Sequence, residues 1–108
     1  MSAVTTHVLD AAQGRPAAGI AVRLEDADGR ELGAGRTDAD GRIRDLGPDA
    51  LPAGDYALTF TTGDYFAERG VDTFYPQVRI AFRIADPDQH HHVPLLLSPF
   101  AYSTYRGS

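Results

Sequence analysis

An all-β sandwich is the fold class predicted by this 108-residue sequence. Three observations predict it. Apolar residues recur at every second position in several short runs, as in strands with one dry and one wet face. Turn residues break those runs at spacings of about 8–12 residues, the rhythm of antiparallel sandwiches. Helical periodicity is almost absent.

The elements follow in chain order. His7-Val8-Leu9-Asp10 reads as a strand, ended by the turn residues Gly14-Arg15-Pro16. Ile20, Val22 and Leu24 alternate with Ala21, Arg23 and Glu25 in a second strand, closed by Asp28-Gly29. Asp40-Gly41 is a hairpin signal just before Arg42. After Pro52-Ala53-Gly54-Asp55, Tyr56, Leu58 and Phe60 alternate with Ala57, Thr59 and Thr61. One short helix is expected, with Asp64 capping Tyr65 to Arg69 and Gly70 stopping it. Val78, Ile80, Phe82 and Ile84 then alternate with Arg79, Ala81 and Arg83, up to the turn Asp86-Pro87-Asp88. His92-Val93 leading into Leu95-Leu96-Leu97 forms another strand, and Tyr102 to Arg106 is β-branched and aromatic enough for a last one. The expected count is about seven or eight strands in two sheets, as one domain over residues 1–108.

Composition narrows the chemistry. The formal net charge of -5 and pI near 5.1 leave no broad basic face for nucleic acid or anionic lipid. No apolar run approaches the roughly 20 residues of a membrane span. The segment Met1 to Thr6 has no basic stretch followed by an apolar one, so the expected location is cytoplasmic. The absence of cysteine removes disulfides, thiolate nucleophiles and cysteine-ligated metals. All ten basic side chains are arginines, which removes a Schiff-base lysine. Four histidines remain, His7, His90, His91 and His92, for any imidazole chemistry near neutral pH.

His90 and His92 share one face of a strand, and His91 faces the other way. Three readings of that segment stand open. It is a metal site with His7 as third ligand, a run of solvated edge-strand histidines, or a metal-free acid–base pair. Arg42 follows a turn, where a surface arginine is commonplace, yet its planar fork of donors also suits an oxyanion or a flat heterocycle. Arg44, two residues on, is the backup. Asp26, Asp28, Asp38, Asp40, Asp86 and Asp88 lie in turn-like stretches and read as turn formers. No Gly-x-Ser-x-Gly elbow surrounds Ser98, Ser103 or Ser108. The C-terminal stretch Tyr102-Ser103-Thr104-Tyr105-Arg106-Gly107-Ser108 keeps strand texture to its final residue. Such an edge invites pairing with a second subunit.

Together these segments resemble the 5-hydroxyisourate hydrolases, the transthyretin-related enzyme family. Three stretches carry the resemblance: Thr5-Thr6-His7-Val8-Leu9-Asp10 with Gly14 and Pro16-Ala17; Thr37 with Asp40-Gly41-Arg42; and His90 to Pro99 running on through Tyr102 to Ser108. The closing Tyr105-Arg106-Gly107-Ser108 is the most specific part, since it separates the enzymes from transthyretin itself. The match departs at His91, where tyrosine is common, at Ala101, where glycine is common, and in lacking a tryptophan after the second strand.

The resemblance implies a transthyretin-like sandwich of two four-stranded sheets with one short helix. It implies a homotetramer, a dimer of dimers, with active sites in a central channel shared by adjacent subunits. The implied reaction opens 5-hydroxyisourate with water, using neither cofactor nor metal. His7, Arg42, His92 and Ser108 are the implied catalytic residues. Tyr105, Arg106 and Gly107 join them around the substrate. Two other readings remain: a carrier of a small aromatic ligand on the same fold, which a pocket of uncharged residues would favour, and a structural module of a longer chain, which Gly19 to Leu24, Thr37 to Arg42 and Gly54-Asp55-Tyr56 also resemble.

Overall fold

Two sheets pack face to face in the computed structural model, which describes residues 2–108. The strands are β1 (Val4–Asp10), β2 (Arg15–Pro16), β3 (Ala21–Asp26), β4 (Glu31–Arg36), β5 (Arg42–Ile43), β6 (Gly54–Phe60), β7 (Val78–Ile84), β8 (His91–Ser98) and β9 (Ala101–Thr104), with helix α1 (Thr62–Glu68) between β6 and β7. One sheet runs β4-β3-β6-β7. The other runs β2-β1-β8-β9, with β5 also pairing β1, so it has five strands where four were expected. The fifth arises because β2 and β5 share one edge of β1, pairing at Leu9–Asp10 and Thr6–His7 respectively.

Alternation sets which side chains enter the core. Val4 and Val8 of β1, and Val93, Leu95 and Leu97 of β8, face Val22, Leu24, Leu58, Phe60, Val78 and Ile84 of the second sheet. The antiparallel expectation holds for every strand pair but one. β1 and β8 run parallel, from Val4 opposite His91 to Asp10 opposite Leu97. Side-chain period reports burial and not strand direction, so the sequence carried no sign of this.

The helix begins earlier than the sequence suggested. Thr61 occupies the N-cap and Asp64 lies in the first turn, where a carboxylate still complements the helix dipole. Gly70 ends the segment at φ 67°, as expected of a left-handed stop. Tyr65 on this helix donates its hydroxyl to the buried Asp10 carboxylate at 2.8 Å, tying α1 to the end of β1. Burial, then Asp10 itself, raises the Tyr65 pKa above its ordinary value. Tyr65→Phe removes that donor from a buried carboxylate and is expected to cost about 1–3 kcal/mol, read as a lower Tm.

Several turns form as their sequence suggested. Asp26, Asp38 and Asp86 each accept backbone N–H bonds from residues two to four positions on, which makes them turn formers. No helix among the described residues is long and apolar enough to cross a membrane.

Candidate functional site

The outward face of the β1–β8 sheet gathers several of the residues singled out in the sequence. His7 and Thr5 of β1 point away from the core, as does His92 of β8. The parallel register sets Thr5 opposite His92 and His7 opposite Pro94. Arg42 stands opposite His7 across the β1–β5 pair. His91 lies on the face opposite His92, as strand alternation predicted, and is buried there with its Nδ1 3.0 Å from the Gln89 carbonyl.

The turn ahead of Arg42 fixes its place. The Asp38 carboxylate accepts the N–H groups of Asp40 and Arg42 at 2.9 and 3.0 Å. Gly41 adopts φ 75° and lies so close to β1 that an added Cβ would collide with the Val8 carbonyl oxygen. Only glycine meets both demands. Arg44, the backup candidate, is held by Asp38 at 3.2 Å. Arg42 has no such carboxylate partner among the described residues, so its donor fork is available to a ligand.

A hollow of about 260 Å³ opens here, lined by Thr5, Arg42, Arg44, His90, His92 and Ser108 among others. His7 stands on the same sheet face, two positions along β1 from Thr5. A neighbouring groove of about 310 Å³ runs between β7 and the C-terminal segment, lined by Ile80, Phe82, Arg83, His91, Tyr105 and Arg106, with His92 on its border. The closing tetrapeptide is therefore divided. Ser108 joins Arg42 and His92, while Tyr105 and Arg106 line the adjacent groove. Arg106 donates to the Gln89 side chain at 3.0 Å and to the His90 carbonyl at 3.4 Å.

The last strand is shorter than expected, ending at Thr104. Gly107 instead makes an isolated bridge with His92, its N–H donating to the His92 carbonyl at 2.8 Å. An added Cβ there would sit 2.6 Å from His92 Cδ2 and 3.1 Å from Pro94 Cγ. The chain end can pack against the imidazole only because residue 107 has no side chain. Gly107→Ala is expected to displace the His92 ring and Ser108, read as shifted imidazole resonances, with Tm nearly unchanged.

Electrostatics favour neutral imidazoles. Loss of water lowers the His92 pKa below 6.5, and the positive charge of Arg42 lowers it further, with His7 and His90 adding to the effect. His7 is lowered likewise, first by burial and then by Arg42, against the opposing influence of the Asp40 carbonyl, Asp38 and Asp40. Both rings are therefore available as proton acceptors at neutral pH.

One participant was not foreseen in the sequence. Thr5 Oγ1 lies 2.8 Å from His92 Nδ1 and 2.8 Å from His90 Nε2. His90 and His92 thus converge on a hydroxyl. No group of three or more His, Asp or Glu side chains among the described residues is arranged to hold a metal ion. Thr5 belongs to the N-terminal stretch that carries the family resemblance, but its contact with His90 and His92 is set by the parallel pairing, which the sequence does not show.

A family model described as the HIUase/Transthyretin family matches residues 4–107. The chain belongs to this family. The 5-hydroxyisourate hydrolase of Caulobacter vibrioides is 49% identical, with all of both chains covered. The mouse enzyme of the same name is 46% identical, over 99% of this chain and 96% of its own. The solved structure of Klebsiella pneumoniae 5-hydroxyisourate hydrolase superposes with TM-score 0.89 at 42% identity, covering 97% of this chain and 98% of that one. Sea bream transthyretin in complex with thyroxine superposes at 0.87 with 34% identity, covering 96% and 93%. The protein is an enzyme, on the hydrolase side of this family.

Proposed function

We propose that this hydrolase opens a ring amide of 5-hydroxyisourate with water, giving 2-oxo-4-hydroxy-4-carboxy-5-ureidoimidazoline. The observation that carries the reading is the placement of Arg42, without a carboxylate partner among the described residues, beside two imidazoles whose pKa values are lowered, all on one outward sheet face. Substrate and activity follow the relatives' names, and the site supplies the chemistry such a reaction needs.

Water must lose a proton as it attacks the carbonyl, and His7 and His92 position and deprotonate it. The carbonyl oxygen gains negative charge as the tetrahedral intermediate forms, and the Arg42 fork stabilises it. The C–N bond then breaks, and the leaving ring nitrogen takes a proton from one of the two imidazoles. Ser108, held by Tyr105-Arg106-Gly107, bonds the substrate or the water. The step is a hydrolysis driven by side chains alone, with no metal and no cofactor.

The same reading includes a homotetramer, a dimer of dimers that shares its active sites across a channel. The site lies open on a sheet face, and β7 and β9 each leave one edge unpaired in the chain. Sedimentation equilibrium is expected to give four chains per particle.

Freshly generated 5-hydroxyisourate, incubated with the protein and a strong chelator, tests the reaction itself. One product carrying one added water and an opened ring is expected, formed only slowly when residues 105–108 are deleted. Loss of turnover in chelator would move the assignment to a metal hydrolase. Tight binding of a flat heterocycle without turnover would favour a carrier.

A further inference from the structure

Thr5 is 6% exposed and packed between two imidazoles that lie two residues apart on the neighbouring segment. A threonine hydroxyl has one proton to donate and lone pairs to accept. It therefore cannot donate to both rings. If it donates to His90 Nε2, then His92 Nδ1 must carry a proton and donate to it. If it donates to His92 Nδ1, then His90 Nε2 must be protonated. Whenever the hydroxyl proton lies on one of these two bonds, the tautomers of the two rings are coupled through one oxygen. The far end of the chain, His90, is exposed, whereas His92 is half-buried beside Arg42.

We infer that His92, Thr5 and His90 form a proton relay in which Thr5 and His90 are positioning residues, linking the reaction face to solvent. The inference rests on the proposed role of His92 as a proton acceptor and deepens it. Among the described residues Nδ1 is engaged by Thr5 and Nε2 has no partner, so Nε2 is the nitrogen open to the attacking water.

As His92 Nε2 takes a proton from water, Nδ1 releases its own to Thr5 Oγ1, and Thr5 passes its hydroxyl proton to His90 Nε2. One N–H bond forms and one breaks on His92, so that ring stays neutral and the positive charge resides on His90. His92 now holds its proton on Nε2, the form that donates to the leaving ring nitrogen. When it does so, the relay runs backward and Nδ1 is reprotonated from His90 through Thr5. The arrangement moves the added positive charge off His92, the ring on which Arg42 and His7 act directly. Arg44 lines the same hollow and is ion-paired to Asp38, and Arg106 reaches the His90 carbonyl from the opposite side.

Kinetics of Thr5→Val, Thr5→Ser, His90→Gln and His92→Asn, with imidazole ¹⁵N spectra of the first two, test the relay. Thr5→Val keeps the side-chain shape and removes the hydroxyl. It is expected to lower kcat about tenfold or more with KM within about twofold, and to turn the single His92 tautomer into a mixture. Thr5→Ser restores both readouts. His90→Gln, which can still bond Thr5 but cannot take the proton, is expected to lose kcat on a similar scale. Wild-type kcat in Thr5→Val or His90→Gln, or failure of Thr5→Ser to rescue, overturns the relay. If His92→Asn is itself fully active, the reading of His92 fails first. If His92→Asn is inactive and Thr5→Val is not, only the relay fails.

Discussion

His92→Asn is expected to lower kcat/KM by about 10²- to 10⁴-fold, the range contributed by a positioned acid–base group. Asparagine is chosen because its amide nitrogen can replace Nδ1 at Thr5, 2.8 Å away in the native chain. The substitution thus removes the titratable nitrogen at modest cost to local bonding. A Tm close to that of the native protein would attribute the loss to chemistry. Activity above about a tenth of native would sink the acid–base role, since such groups contribute far more than that.

Arg42→Gln carries the second large effect. An oxyanion donor is typically worth about 10²–10³ in kcat, or roughly 3–4 kcal/mol, and Arg42 has no carboxylate partner among the described residues, whereas Arg44 in the same hollow is held by Asp38. Arg42→Lys keeps the charge but loses the planar fork, so partial recovery is expected. The pH profile gives a second readout. Burial and Arg42 both hold His92 and His7 below 6.5. A base whose pKa is lowered stays unprotonated as pH falls through 6.5, so the acid limb of kcat/KM should lie below that value. Without Arg42 the charge repulsion is gone while burial persists. The residual activity of Arg42→Gln should therefore show its acid limb moved upward, toward 6.5. An unmoved limb would mean that Arg42 does not act on these imidazoles.

The parts of the fold with side chains alternating between core and solvent were legible in sequence. β7 shows the expected period throughout and β3 and β8 show it in part, whereas β6 is buried on both faces from Tyr56 to Phe60. β4 went unread because Glu31-Leu32-Gly33-Ala34-Gly35-Arg36 places glycines where alternating side chains would announce a strand. Its pairing with β3 comes from backbone hydrogen bonds, which composition does not record. The helix was placed late because Asp64 is the better capping residue, while the backbone enters the helix from Thr61 with no side-chain cap bond.

The site was legible to the extent that it follows strand parity. His92 outward, His91 on the opposite face and Arg42 after an Asp-Gly turn all follow from local rules. Thr5 did not, because only the parallel alignment of two segments more than 80 residues apart puts it between His90 and His92. The division of Tyr105-Arg106 from Ser108 also depends on a long-range contact, the bridge from Gly107 to His92.

Metal-free hydrolysis at the His7–Arg42–His92 face, as proposed, is read in the ultraviolet absorbance decay of 5-hydroxyisourate, generated in place by urate oxidase, with and without this protein in the presence of chelator. Decay far faster than spontaneous hydrolysis is expected, with first-order dependence on protein concentration. A decay rate equal to that of the protein-free control, from correctly folded protein, would contradict it.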